Sequence, residues 1–285
     1  MNDITNPRTV SSVTTRPRSL PDFDDPPVVE TVMGLEFVRL KGWSIPHFGL
    51  LWSKFKSEYP HFDVQPALQS NVDVQVGVEV RTASAPTVSV MALPSLRCWF
   101  FDESRTSLIQ VQEDRFLHNW IKKGSQEKYP HYENIRPKFE IEWQRFCAFL
   151  SEQNLATPVV QHCEVTYVNH IERGAAWRTF DDLADVVSVW SKPSTGFLPS
   201  PDAVNLSVKY PMQETDGTLT ITLEPAIRHT DQKEVLQLRL SAHARPASQN
   251  LEDILKCLDI GRDWIVRGFT DFTSSKAHSL WKRSI

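Results

Sequence analysis

Only ten glycines occur in the 285 residues. They form neither G-x-x-x-x-G-K-[ST] nor G-x-G-x-x-G, so phosphate cradles built from glycine are excluded. No G-x-S-x-G elbow is present, and no cysteine stands in a local signature of a thiol-enzyme family. The four cysteines, Cys98, Cys147, Cys163 and Cys257, lie far apart, with no C-x-x-C and no Cys/His pair at zinc-ligand spacing. Each adjoins apolar or aromatic residues, as in Cys98-Trp99-Phe100, where a free thiol packs as a small hydrophobe. No disulfide framework is expected, and the expected compartment is the reducing cytoplasm. No run of about 18 apolar residues is present to span a bilayer, and the first residues lack the apolar core of a signal peptide. Positive charge is not in excess either: 31 basic residues face 35 acidic ones, a net charge of −4. The balance is similar over residues 28–155 and 156–285, so net charge does not support binding to a phosphate backbone. The local group Lys122, Lys123, Lys128, Arg136 and Lys138 reads best as a solvated helix face and loop.

What is present is the material of a packed core. Apolar residues make up 40%, with 9 Trp and 15 Phe, a globular composition. Residues 1–27 differ: five prolines, many Ser and Thr, three arginines, then Asp22, Asp24 and Asp25 make an arm expected to stay disordered.

Beyond the arm, β-favouring residues predict a strand from Val28 to Leu40. Phe48, Leu51, Trp52 and Phe55 then recur at helical spacing over Ile45 to Tyr59, closed by Pro60. Residues 60–95 read as a variable excursion holding one strand, where Val72, Val74, Val76, Val78 and Val80 alternate. A three-stranded meander follows over Leu96 to Phe101, Thr106 to Gln112 and Arg115 to Lys122. A helix from Tyr132 to Glu152 carries Ile135, Phe139, Trp143, Phe146 and Leu150 on one face. The order then recurs: a strand from Val159 to Ile171 and a helix from Phe180 to Trp190. Strands follow over Ala203 to Tyr210, Thr218 to Leu223 and Glu234 to His243, and a last helix, capped by Asn250, runs to Phe272. The expected fold class is α+β, with two pseudo-repeated βαβββα halves over residues 28–155 and 156–285. Each half would supply a four-stranded antiparallel sheet with its long helix on one face, and an edge-to-edge join would make eight strands.

Several segments carry a resemblance: Pro26-Pro27-Val28-Val29-Glu30, His47-Phe48-Gly49-Leu50-Leu51-Trp52, and Leu108-Ile109-Gln110-Val111-Gln112 leading to Asp114-Arg115-Phe116. Asn119-Trp120, Cys163-Glu164-Val165-Thr166-Tyr167-Val168-Asn169-His170-Ile171 and Phe269-Thr270-Asp271 continue it. Along most of residues 26–283 the chain resembles a family of uncharacterised prokaryotic proteins, sporadically distributed among bacteria and archaea. That resemblance implies an accessory role of the kind played by phage-defence or toxin–antitoxin components. It implies no catalytic residue or cofactor.

Three constellations were weighed. Gln110 and Gln112 share one face of a strand whose other face is apolar, and Asn119 or its neighbours join them. Amides both donate and accept, which suits a polar ligand, whereas an ordinary wet sheet face explains them as well. The strand 159–171 puts His162, Glu164, Thr166 and His170 on one face and Cys163, Val165, Tyr167 and Asn169 on the other. His162 and His170 are roughly 27 Å apart at 3.4 Å per residue, too far to share an ion. Tyr167 and Asn169 are candidates for a groove between the halves. Asp181, Asp182 and Asp185 suit the start of a helix better than a metal. The expected function is a non-enzymatic binding or interaction module, with a protein or polar ligand as partner, no metal and no cofactor. The alternative is an enzyme, nuclease-like or acting on a small molecule, whose residues meet only in three dimensions.

Overall fold

The computed structural model describes residues 20–68, 96–124, 127–174, 176–191, 197–228 and 230–284. Nine strands form one antiparallel sheet: β1 (Val28–Phe37), β2 (His61–Pro66), β3 (Leu96–Phe101), β4 (Ser107–Gln112), β5 (Arg115–Ile121), β6 (Val160–Glu172), β7 (Leu206–Met212), β8 (Gly217–Arg228) and β9 (Lys233–Ala244). Their spatial order is β2-β3-β4-β5-β1-β6-β9-β8-β7. The helices are α1 (Ile45–Phe55), α2 (Tyr132–Glu152), α3 (Leu251–Phe272) and α4 (Ser275–Leu280). The fold is α+β with a large antiparallel sheet.

The centre of the sheet is the antiparallel pair β1 and β6, where Met33 stands opposite Val165. From there one row of partners runs through His118, Ile109, Phe100 and Phe62. The other way it runs through Ala242, Leu219 and Tyr210. Directly opposed residues project to the same side, and alternate residues share it, so this row defines one side of the sheet, which also carries Phe116, Tyr167 and Asn169. Helices pack at several points of that side. Phe55 of α1 lies 6.3 Å from the Phe100 ring. Phe139, Trp143 and Phe146 of α2 surround Phe116, with Phe146 stacked at 4.9 Å. α3 comes close at Gly268, where an added Cβ would lie 2.6 Å from the tip of the Leu219 side chain. The expected Asn250 cap is formed, with the Asp253 amide donating to Oδ1 at 2.8 Å.

Three expectations are corrected. The sheet has nine strands rather than eight, because His61–Pro66 pairs with β3 as an added edge. The valine alternation at 72–80 lies outside the described residues. The stretch expected as a helix from Phe180 to Trp190 is a 3-10 helix, Phe180–Asp185, after which β-branched Val186 and Val187 are buried and Val187 bridges to Thr273. The arm read as 1–27 is docked over its last residues. Phe23 is buried edge-on against Phe269 at 5.3 Å, and the Asp24 and Asp25 amides donate to the Lys282 and Trp281 carbonyls. One aromatic anchor outweighs the surrounding prolines and aspartates.

Candidate functional site

The amides singled out in the sequence do lie together on one side of the sheet, opposite to the Phe116 side. They are not open to a ligand. Gln110, Gln112 and Asn119 are only 6%, 3% and 1% exposed. Gln110 Oε1 accepts from Arg97 Nη1 and Trp99 Nε1, both at 2.8 Å, and its Nε2 donates to Asn119 Oδ1 at 2.7 Å. Asn119 Nδ2 donates onward to Glu30 Oε1 at 2.7 Å. Gln112 donates to Asp114 Oδ1 and to the Leu68 carbonyl, and accepts from the Leu68 amide at 2.8 Å. Beside this chain Arg115 pairs with Glu36 at 3.3 Å. Neighbouring strands place same-side residues within reach of long side chains, so these groups satisfy one another. Burial raises the Glu30 pKa, against the opposing pull of the Asn119 bond and Arg239.

Tyr167 and Asn169 stand on the other side, so the five candidate residues do not form one site. With Phe23, Tyr129, Arg262 and Phe269 they line a cavity of about 60 Å³. The Tyr129 and Tyr167 hydroxyls are 2.5 Å apart, and burial pushes both phenols up, so both keep their protons. Arg262 lies over the Tyr132 ring at 5.4 Å, and its charge opposes the rise at Tyr167. Asn169 is 1% exposed; its Nδ2 donates to the Leu238 carbonyl at 3.1 Å, while its Oδ1 has no hydrogen-bond partner among the described residues. Such a buried acceptor is costly unless something donates to it. The 20–27 strap closes the cavity: Pro21, Asp22 and Phe23 line it, and the Pro27 carbonyl accepts from the His170 amide at 2.9 Å.

A second buried group escaped sequence reasoning. His118 Nδ1 lies 2.7 Å from Glu142 Oε2, with both side chains 2% exposed, and Tyr59 donates its hydroxyl to Glu142 Oε1. His118 Nε2 is 3.5 Å from Ser107 Oγ, which accepts from Lys138 Nζ at 3.0 Å. Burial, then the Glu142 carboxylate, raises the Tyr59 pKa, which keeps the phenol a donor. The signal was available: Glu142 interrupts the apolar face between Phe139 and Phe146, and His118 stands between Phe116 and Trp120. The arrangement ties α2 to β5 and to the residues that follow α1.

The thiols are free and buried or half-buried, and burial pushes Cys98 up to about 12, which removes thiolate reactivity at neutral pH. Among the described residues, no three His, Cys, Asp or Glu side chains converge on a point where a metal ion would sit. Asp182 accepts from the Arg178 and Thr179 amides, a capping role. No helix of the described residues is long and apolar enough to cross a membrane.

The chain matches no family model, no curated protein and no solved structure. Its function is therefore argued from its own geometry.

Proposed function

We propose that the chain is built of two pseudo-repeated halves, β1 to α2 and β6 to α3, with the long helices on one side of the shared sheet. The proposal extends to function: a non-enzymatic binding module whose ligand inserts a small polar group into the cavity at Asn169. Supporting the repeat, equal steps outward from the Met33–Val165 pair lead to Phe100 and to Tyr210. Supporting the binding site is one observation above the rest: Asn169, whose Oδ1 has no partner among the described residues, lines a cavity with two tyrosines and Arg262. The cavity has room for roughly four water-sized spheres at 10–15 Å³ each. The inserted group therefore has few heavy atoms. It carries a donor for Asn169 and an acceptor for the phenols or Arg262, as a primary amide does. A small polar molecule or the polar tip of a protein side chain meets this description. The resemblance to the sporadically distributed prokaryotic family supports an accessory role, in phage defence or a toxin–antitoxin system.

Native mass spectrometry of freshly purified protein beside the Asn169→Leu variant tests the site. The expected result is a small adduct on the unmodified chain that is missing from the variant. No adduct on either, or the same adduct on both, refutes it.

The alternative, an enzyme, rests on the Ser107, His118 and Glu142 order, which has the form of nucleophile, base and orienting carboxylate. Burial of all three and the Lys138 bond to Ser107 Oγ weigh toward a structural role. Covalent labelling of Ser107 by a fluorophosphonate would establish the enzyme reading.

A further inference from the structure

The two sides of the central pair are treated differently by the helices. Phe100 and Cys98 of β3 correspond by register to Tyr210 and Val208 of β7, each three strands from the sheet centre on the same side. On β3 these positions are sealed: Phe100 is 0% exposed, with Phe55 of α1 against it. On β7 Tyr210 is 36% exposed and Leu206 and Val208 are half-buried. α3 borders Tyr210 from one side only of the groove they share. The 3-10 helix that holds α1's place in the element order docks elsewhere. There Lys276 pairs with Asp185 at 2.6 Å, and the Ser274 amide donates to the Val186 carbonyl.

The result is an open groove of about 580 Å³ between α3 and β7, with Tyr210, Leu219 and Ile221 on the sheet side and Ile260, Trp264 and Gly268 on the helix side. Glu214, Asp263 and Asp271 stand around it with Arg267; Glu214 accepts from Trp264 Nε1 at 2.7 Å and Asp263 lies 3.8 Å from Arg262, so acidic groups exceed the basic ones near them by one. In the other half α1 fills the corresponding place with Phe48, Leu51 and Phe55, and its Lys54 pairs with Glu152 of α2 at 2.6 Å. Strand addition at the β7 edge is disfavoured, because Lys209 is exposed there and Pro211 lacks an N–H.

We infer that this groove is a docking site for an amphipathic helix of a partner protein. The helix carries large apolar side chains at i, i+3 and i+7, with basic residues beside them. Apolar anchors at these spacings are how a helix fills a groove, and the acidic rim selects the basic flank. The surface is separate from the Asn169 cavity, so each stands or falls alone.

α1 itself supplies the probe. A fluorescein-labelled, hydrocarbon-stapled peptide of residues 44–60 is titrated into the full chain and followed by fluorescence anisotropy; stapling is needed because an isolated helix this short is marginal in water. Saturable binding with a micromolar Kd is expected, weakened at least tenfold by Tyr210→Glu, with no binding of the scrambled stapled peptide. Tyr210 is half-open, so the variant keeps its fold, checked by near-ultraviolet circular dichroism. No saturable binding overturns the inference. So does binding that Tyr210→Glu leaves unchanged, since the peptide would then be displacing α1 from its own half.

Discussion

Replacing Gln110 by alanine separates a recognition face from an internal network. The substitution strands three groups: Arg97 Nη1, Trp99 Nε1 and Asn119 Oδ1. Arg97 and Trp99 are half-exposed and can turn to water, so each costs little. Asn119, at 1% exposure, cannot. A buried unsatisfied group costs about 1–3 kcal/mol, and an exposed substitution stays within about 0.5 kcal/mol of neutral. Urea unfolding of Gln110→Ala is thus expected to show a loss of about 1–3 kcal/mol with the slope unchanged. Adding Asn119→Leu tests the pairing: if the two amides serve each other, the double mutant loses less than the sum of the single losses. A Gln110→Ala protein within about 0.5 kcal/mol of the parent would refute the closed network and reopen this face as a binding surface.

Other consequences follow from the same structure. Glu142→Ala leaves His118 and Tyr59 facing a buried gap, and a loss of about 3–5 kcal/mol in unfolding free energy is expected; a loss near zero would mean the group is solvated. Phe23→Ala removes the aromatic that pins the strap to Phe269, and a loss of about 3 kcal/mol is expected with faster hydrogen exchange at the His170 amide; unchanged exchange would show that the strap is not held by Phe23. Burial raises the Glu30 carboxyl above its ordinary pKa of 4.5, so the folded state holds the proton more tightly than the unfolded chain, and stability falls as pH rises through the window above 4.5. Glu30→Gln should flatten that part of the stability–pH curve, and an identical curve would show that Glu30 is not the group responsible.

Periodic elements were legible because one face of each is dry. Tyr132–Glu152 emerged with both ends right, since Ile135, Phe139, Trp143, Phe146 and Leu150 recur on one face. Strand alternation put Gln110 and Gln112 on one side and Tyr167 and Asn169 on one side of theirs. Which side of the shared sheet each pair occupied was not legible, because that depends on strand register across β5, β1 and β6. Asn119 illustrates the loss: alternation alone cannot say that its carbonyl meets Gln110 and its amide meets Glu30. Phe180 to Trp190 misled for another reason, since the acidic start and apolar spacing suit a helix while Val187 bridges to Thr273 at the end of α3 and the Val186 carbonyl accepts from the Ser274 amide.

The two halves also spend their polar residues differently, and this bears on where binding occurs. On the side of the sheet carrying Gln110, the half ending in α2 presents Gln110, Gln112, Arg115 and Asn119, long or amide side chains that reach across strands and close on one another. On the same side, β8 and β9 present Thr218, Thr220, Thr222, Ser241 and His243, all half-buried, beside Arg239 and Gln237, whose Nε2 donates to Glu224 Oε1 at 3.1 Å. Thr and Ser hydroxyls are too short to span strands as Gln and Arg do, although Thr166 and Ser241 reach each other at 2.8 Å on directly opposed positions. On the helix-bearing side the contrast repeats, with α1 sealing β3 while β7 stays open. The Asn169 acceptor, on β6, and the groove at Tyr210, on β7, both lie on the β6-β9-β8-β7 part of the sheet.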